Sequence, residues 1–172
     1  MVGRNLIEHL HEKYEILSPS SKRLNLLELD NVKEYLDSEN PNAIVHCAGL
    51  VGGIQANKKS PFSFFYNNLE MGKNLIDAAH KIKIPILINL GSSCMYPKDR
   101  NHELQEDDIL TGSLEPTNGG YALAKISVAK MCEFLAKEKE VFYKTIIPCN
   151  LYGKWDKFDP DKSHMVPSVI RK

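Results

Sequence analysis

The sequence has no long hydrophobic run and no excess of one charge, and both absences exclude classes of protein. No apolar stretch in its 172 residues approaches the roughly 20 that span a bilayer, and the amino terminus has no signal-peptide core. The 22 basic and 22 acidic residues give a formal net charge of +0. This balance offers no electrostatic basis for binding nucleic acid or a membrane surface. We therefore expect neither as a partner.

Cysteine is scarce and scattered. The four cysteines, at positions 47, 94, 132 and 149, include no pair at metal-ligand spacing. Thiols used singly are typical of a reducing compartment, so we expect a cytoplasmic protein without disulfides or a metal site. Hydrophobic residues make up 42% of the chain, which suffices for the core of about one domain.

Short apolar segments alternate with helical patterns along the chain. The patterns predict helices over residues 5–14, 30–38, 61–83 and 121–139, and strands over 15–17, 43–47, 86–90 and 145–148. Short strands separated by helices predict an α/β fold with a doubly wound, Rossmann-type parallel sheet covered on both faces. Ligands of such sheets bind beyond the carboxyl ends of the strands.

The glycine fingerprint expected after the first strand of a dinucleotide-binding sheet is nearly absent. The chain opens MVGRNL, with only Gly3 available. A doubly wound sheet without its first strand would lack a central element. We therefore expect this sequence to be a fragment, or to start from an internal methionine.

The stretch LGSSCMYP, residues 90–97, places two hydroxyls and a thiol at the end of a predicted strand. Ser92, Ser93 and Cys94 would face a ligand site there. Alternatively, they are turn residues that cap the next segment, because strand ends usually carry such residues. Position alone leaves both interpretations open.

Tyr121 and Lys125 form Y-x-x-x-K within a predicted helix. Residues four apart share a helix face, so both side chains can point into one cleft. A lysine ammonium favours the phenolate and lowers a pKa that is normally about 10. Such a tyrosine can exchange a proton with a developing alkoxide. With Ser92 to hold a carbonyl, the three residues predict a carbonyl-reducing unit.

These motifs carry a family resemblance. The matching blocks are MVG, CAGLVGGIQAN, NLGSSCMYP, LTGSLEPTNGGYALAK, PCNLYGKWDKFDP and SHMVPSVIRK. The chain resembles the extended short-chain dehydrogenases, and within them the GDP-sugar epimerase–reductases that make GDP-L-fucose. The resemblance implies NADPH-dependent 3,5-epimerisation and C4 reduction of GDP-4-keto-6-deoxymannose.

The resemblance also implies catalytic roles. Cys94 would be the base that removes protons next to the ketone, and His164 the acid that returns them from the other face. Ser92 would hold the ketone and Tyr121 would donate the last proton. Lys125 would lower the phenol pKa and bind the nicotinamide ribose. A thiol needs only a small pKa shift to act as a base.

The loop SPSSKRLN supports a preference for NADP. Ser20, Ser21, Lys22 and Arg23 could bind a 2′-phosphate, and the loop has no carboxylate to repel one. Alternatively, it is a solvated charged turn. By resemblance, further coenzyme contacts would come from Gly3, Ala48, Leu90, Gly91, Ser92, Ser93, Lys125, Pro148, Cys149, Asn150, Leu151 and His164.

Several expectations complete the prediction. Residues 1–153 would form the NADP-binding domain without its first strand, and residues 154–172 would begin a substrate domain. Members of the resembled family carry a basic residue where this chain has Leu50. The substrate could therefore also be a GDP-4-keto-6-deoxyheptose. A truncated, non-catalytic chain is the other alternative.

The resemblance and the predicted helices also lead to expectations about assembly. Surplus apolar residues on the helices over 61–83 and 121–139 predict a homodimer of the intact enzyme. We expect the 172-residue chain alone to lack reductase activity and to bind NADPH poorly, because most of the glycine loop is missing.

Overall fold

A three-stranded parallel sheet forms the centre of the computed structural model, which describes residues 1–156, 158 and 165–171. The strands are β1 (Ala43–His46), β2 (Ile86–Leu90) and β3 (Phe142–Ile146), in the order β1-β2-β3. Leu87 lies opposite Ile44 on one side and Tyr143 on the other. The predicted parallel α/β class is confirmed.

Six helices accompany the sheet in these residues. They are α1 (Val2–Leu10), α2 (Leu29–Glu39), α3 (Ile54–Lys59), α4 (Pro61–Lys81), α5 (Gly119–Lys139) and α6 (Met165–Arg171). Pro61 begins α4, where its missing N–H costs no helical hydrogen bond. Asn40 and Glu140 end α2 and α5 in the left-handed conformation that stops helices.

Helices α2, α4 and α5 pack on one face of the sheet. Their shared core contains Val32, Tyr35, Leu36, Leu75, Ile76, Ala78, Ala79, Ile84, Leu87, Val128, Cys132 and Tyr143. Tyr143 is buried because its hydroxyl donates a hydrogen bond to the carbonyl of Ile84 (3.0 Å). Alternate strand residues on the opposite face stay about half exposed, among them Val45, Phe142 and Ile146.

Helices α4 and α5 pack closely against each other at Gly72. A Cβ atom built on Gly72 would lie 2.4 Å from Cγ2 of Val128. Glycine is therefore needed here for the packing distance between the helices.

The structure corrects four details of the sequence prediction. Residues 15–17 form no strand, since no described segment pairs with them. Strand β3 begins at Phe142, three residues before the predicted start at Thr145. The first helix spans residues 2–10 instead of 5–14, and α3 was not predicted. Within the described chain, no helix is both long enough and apolar enough to cross a membrane.

Candidate active site

The predicted site residues gather where the three parallel strands end. Ala48 follows β1, Gly91 to Cys94 follow β2, and Pro148 to Leu151 follow β3. Gly91 ties two of these ends together, since its N–H donates to the carbonyl of Ile146 (2.8 Å). The close packing at position 91 also favours glycine, because a Cβ there would lie 3.0 Å from the sulfur of Met95.

Ser92 and Cys94 form one hydrogen-bonded unit after β2. The Cys94 thiol donates to Oγ of Ser92 at 3.2 Å. Cys94 lies in a short 3₁₀ turn, Ser93–Met95, and Ser92 is the N-cap residue of this turn, as the alternative interpretation expected. Capping and a functional position are thus compatible here. The turn aims the hydroxyl and the thiol to the same side of the strand end.

Tyr121 and Lys125 reach this unit from the first turns of α5. Nζ of Lys125 donates to the carbonyl of Leu90 at 2.8 Å and lies 5.8 Å from the ring centroid of Tyr121. Lys125 is only 6% exposed, which is rare for a lysine. The i, i+4 spacing therefore places both groups in one buried cleft, as the sequence predicted.

Burial sets the protonation of the cluster. It raises the pKa of Tyr121 to about 12, and the neighbouring Cys94 adds to this, while a hydrogen bond with Ser92 opposes it. Burial likewise raises the pKa of Cys94, against the effects of Ser92 and Lys125. The sequence argument expected lysine to lower the phenol pKa. Desolvation is the larger effect here, so Tyr121 is protonated at neutral pH and can donate a proton.

A buried histidine that sequence reasoning missed lies beside the cluster. His46 ends β1 and is 5% exposed. Burial, and then the charge of Lys125, lower its pKa to about 4. The imidazole is therefore neutral at pH 7. Burial also lowers the pKa of Lys125, while the Cys94 and Cys47 thiols raise it.

The amino end of α1 meets the end of β1. A Cβ on Gly3 would lie 3.6 Å from Cβ of Cys47. In the first turn of α1 the described residues include no acidic side chain and no side-chain cap. A helix start with free N–H groups at the carboxyl edge of a parallel sheet suits a bound anion.

The basic turn lies apart from the buried cluster. Ser21, Lys22 and Arg23 are exposed. The guanidinium of Arg23 pairs with Glu39 and lies 5.3 Å from the ring centroid of Tyr35. Arg23 thus already has partners in this structure.

The remaining predicted contacts come from the loop after β3 and from His164. Residues 149–151 are exposed beyond β3, open to a ligand at the strand ends. His164 lies outside the described residues, so its acid role stays a prediction. In the chain that the structure describes, no cluster of histidine, cysteine and carboxylate groups could hold a metal.

Sequence reasoning also missed the support of the loop after β1. Asn68, buried in α4, accepts a hydrogen bond from the N–H of Leu50 and donates to its carbonyl, both at 3.0 Å. The only sequence signal for this contact was the asparagine itself, which lies within the predicted helix over 61–83. This side chain fixes the loop that the resemblance places beside a sugar.

Comparisons with known proteins agree with this geometry. The model of the NAD dependent epimerase/dehydratase family matches residues 1–172. A GDP-L-colitose synthase of Yersinia pseudotuberculosis is 56% identical over 100% of this chain and 56% of its own length. A GDP-L-fucose synthase of Azorhizobium caulinodans is 45% identical over 100% of this chain and 55% of its own length.

A solved structure is similar as well. The GDP-D-glycero-L-gluco-heptose synthase of Campylobacter jejuni, solved in the presence of NADPH, has a TM-score of 0.93 and 29% identity. The alignment covers 98% of this chain and 50% of that protein. The chain thus spans about half the length of these relatives. The resemblance seen in the motifs is confirmed, and the chain belongs to the NAD dependent epimerase/dehydratase family.

Proposed function

We propose that this chain supplies the coenzyme-binding half of an NADPH-dependent epimerase–reductase that acts on a GDP-4-keto-6-deoxy sugar. The convergence of Ser92, Cys94, Tyr121 and Lys125 at the end of β2 carries the proposal. This cluster combines a proton donor for a ketone with a thiol able to remove a neighbouring proton. In the proposed division, residues 1–153 bind NADP and residues 154–172 begin the substrate domain.

Three features of the structure fit NADP. The start of α1, which lies against Cys47 at the end of β1 and has no side-chain cap, suits the pyrophosphate. The exposed turn at Lys22 offers a cation to the 2′-phosphate. The loops after β2 and β3 flank the nicotinamide position. When bound, NADPH supplies the hydride that reduces C4.

Tyr121 donates the proton that completes reduction. Its pKa of about 12 keeps the phenol protonated until an alkoxide develops next to it. Ser92 holds the substrate oxygen, and its hydroxyl accepts a hydrogen bond from the Cys94 thiol. It also lies close enough to Tyr121 to lower the pKa of the phenol, against the larger effect of burial. Lys125, fixed by the carbonyl of Leu90, places positive charge beside the phenolate that remains.

Cys94 removes the proton next to the ketone in the epimerisation steps. Its pKa is raised by burial, so its thiolate depends on the charge of Lys125 and the hydrogen bond with Ser92. A partner on the other sugar face must return the proton. His164 fills that role in this proposal.

The sugar is a hexose in the leading form of the proposal, with GDP-L-fucose as product. The 56% identity to a GDP-L-colitose synthase favours a second candidate, GDP-L-colitose. Colitose lacks the C3 hydroxyl of fucose, and an apolar Leu50 near the sugar suits a deoxygenated carbon. An enzyme that acts on a GDP-linked heptose is the third candidate, because the similar solved structure is a GDP-D-glycero-L-gluco-heptose synthase. Comparing kcat/KM of the full-length protein for the three 4-keto substrates separates them.

Replacement of Tyr121 by Phe tests the reductase assignment in the full-length protein. We expect NADPH oxidation to fall about 10²–10⁴-fold, because the proton donor is lost, while exchange of substrate protons with deuterium continues. Tyr152→Phe is the matched control, since Tyr152 is 70% exposed. Reduction by Tyr121→Phe at the parental rate would contradict the assignment. A parental protein that neither oxidises NADPH nor exchanges protons would instead support the non-catalytic alternative.

Replacement of Cys94 by Ser tests the epimerase assignment. The hydroxyl keeps the hydrogen bond to Ser92 but is too weak an acid to give the base. We expect little deuterium incorporation next to the ketone, with reduction to an unepimerised sugar still possible. Deuterium incorporation at the parental rate would exclude Cys94 as the base.

Replacement of Lys22 and Arg23 by Ala tests the coenzyme preference. The parental enzyme should use NADPH better than NADH, and the double variant should lower this preference about tenfold or more, since charged hydrogen bonds contribute about 1.5–3 kcal/mol. Arg23→Ala alone should have the smaller effect, because Glu39 already occupies its guanidinium. Equal kinetics with both coenzymes before mutation would refute this role for the turn.

We also propose a homodimer that forms through α4 and α5. Phe62 and Tyr66 stack on the surface of α4, and Phe134 of α5 is 55% exposed. Four helices from two copies would bury these rings. Replacing Phe62 and Phe134 by Glu should convert the full-length protein to a monomer in analytical ultracentrifugation. The cytoplasm is the proposed location, since all four cysteines are free thiols.

A further inference from the structure

The only tryptophan in these 172 residues anchors α1 to the far end of the chain. Its indole N–H donates to Oε1 of Glu8 at 2.9 Å. Nζ of Lys154 pairs with the other carboxylate oxygen of Glu8, also at 2.9 Å. Nδ2 of Asn5 donates to the carbonyl of Lys154 at 2.9 Å. We call these contacts, together with Arg4, the Trp155 clasp.

Two cations enclose the indole ring. Cζ of Arg4 and Nζ of Lys154 each lie 5.2 Å from its centroid. Both distances fall within the range of cation–π attraction. The clasp therefore holds Trp155 through a hydrogen bond at its edge and through charges near its ring.

The backbone at the clasp is unusual. Trp155 has φ +69°, in the left-handed region that bulky residues rarely adopt. Gly153, two residues earlier, has φ +144°. A hydrogen bond from the N–H of Asp156 to the carbonyl of Gly153 closes the turn at 3.2 Å. Such a conformation persists only where surrounding contacts hold it.

Helix α1 is attached by the clasp to the segment that follows β3. None of its nine residues, all of which the structure describes, is buried. The helix has no fully buried side chain, so its polar contacts contribute to where it lies beside the half-buried apolar residues. Its amino end meets Cys47 at the strand edge, where the pyrophosphate binds in the proposed function.

The clasp joins the two borders of the coenzyme site. One border is the start of α1. The other is the loop after β3, residues 148–151, which continues directly into Lys154 and Trp155. Movement of one border is therefore transmitted to the other through Glu8 and Trp155.

We propose that the Trp155 clasp fixes α1 against the loop after β3, so that Trp155 and Glu8 are positioning residues for coenzyme binding. This inference rests on the proposed function, in which α1 receives the coenzyme pyrophosphate. Neither residue touches the reacting atoms. Their effect should appear in coenzyme affinity and not in the chemical step.

The first experiment measures NADPH and NADP⁺ affinity of the full-length protein by calorimetry, and KM and kcat in the reductase assay. In Trp155→Ala we expect the Kd and the KM for NADPH to rise about tenfold, with kcat at saturation within twofold of the parent. Glu8→Gln keeps an acceptor for the indole but loses the charge that pairs with Lys154. Its KM should rise by a smaller factor.

Glu12→Gln is the matched control. It removes one carboxylate just beyond α1, and Glu12 makes none of the clasp contacts. Its affinity for NADPH should equal that of the parent. If Trp155→Ala does not fold, Glu8→Gln and Glu8→Leu provide the test, since Glu8 lies on the surface side of α1.

A second measurement needs no coenzyme. Hydrogen exchange of the amides in residues 2–10 should accelerate in Trp155→Ala and not in Glu12→Gln, while amides of α5 keep the parental rate. The double variant Glu8→Gln/Trp155→Ala should exchange like Trp155→Ala, because both changes break one unit.

The outcomes separate this inference from the proposed function. If the parent binds NADPH and the clasp variants bind it with the same affinity, the proposed role of the clasp is wrong, while the proposed coenzyme site is not contradicted. A fall in kcat with an unchanged KM would also overturn it. A parent that binds no NADPH would overturn the coenzyme proposal and the clasp with it.

Discussion

The two sides of the coenzyme region are held together by different forces. On one side, α2, α4 and α5 bury a shared apolar core against the sheet. On the other, α1 buries none of its nine residues and is attached through Glu8, Asn5 and Arg4. Lys125 and Tyr121 belong to the first side, and the proposed pyrophosphate site to the second.

The difference shows where rigidity is needed. Proton transfer requires groups fixed to within fractions of an ångström, and α5 obtains this from close packing against α4. A site that admits and releases a coenzyme can be built on a helix held by exchangeable polar contacts. The following changes test this division, in order of decreasing effect.

Lys125→Met should have the largest effect. It removes the ammonium that is fixed by the carbonyl of Leu90, and it keeps the apolar stem on the packed side. We expect kcat of the full-length protein to fall about 10²–10⁴-fold in steady-state assays, with normal expression and circular dichroism. Activity near the parental level would show that the Lys125 ammonium is not needed for the chemistry.

Acid should destabilise the packed side through His46. Its pKa of about 4 in the folded protein is below the unfolded value of 6.5. Between these pH values the unfolded state binds more protons, so the free energy of unfolding decreases as pH falls from about 6.5 to about 4. The loss from this residue is roughly 3 kcal/mol.

The matched variant for this test is His46→Gln, which cannot titrate. Urea unfolding at several pH values should show a shallower acid dependence in the variant than in the parent. Identical slopes would mean that His46 is solvated in the folded state.

Gly72→Ala should weaken the contact between α4 and α5. The added methyl group meets Val128 at 2.4 Å, and overpacking of this kind costs about 1–3 kcal/mol, partly offset by the higher helix propensity of alanine. Urea unfolding should give a net loss of about 1–2 kcal/mol. Gly119→Ala is the control, because a Cβ there meets no atom within 4 Å. A neutral Gly72→Ala would show that the helices can move apart freely.

Glu8→Gln should have the smallest effect on stability. The carboxylate is solvent-accessible, so its pair with Lys154 is screened and contributes little to global folding. We expect an unfolding midpoint equal to that of the parent at both low and high salt. A large salt-sensitive loss would show that the α1 side shares the stability of the packed core.

Local patterns predicted most of the helices and the strands with apolar runs. Proline at the start of α4 and apolar spacing along α5 gave those two helices to within two residues of the observed ends. The segment 15–17 failed because a strand needs a partner, and partners are not encoded in local pattern. The start of β3 was missed because its exposed positions hold both an apolar residue, Phe142, and a charged one, Lys144. The alternation of apolar and polar residues that marks a strand is therefore hidden in the sequence.

The site was predicted to a similar extent. Spacing alone placed Tyr121 and Lys125 on one face of α5, and LGSSCMYP placed Ser92 and Cys94 at a strand end. The sequence could not indicate that burial would raise the pKa of Tyr121 to about 12, because desolvation depends on the residues that surround the group. His46 was missed for the same reason.

The sequence by itself determined the order of the longer helices and of the three strands in the sheet, the parallel α/β class and the Y-x-x-x-K pair, since these depend on period and spacing within short segments. Only the tertiary structure decided that Lys125 bonds to Leu90, that Gly72 must lack a side chain, and that Trp155 holds Glu8. Each of these contacts joins residues from 35 to 147 positions apart, or depends on how closely two helices approach. Such contacts arise from the packing of whole elements, which no local pattern specifies.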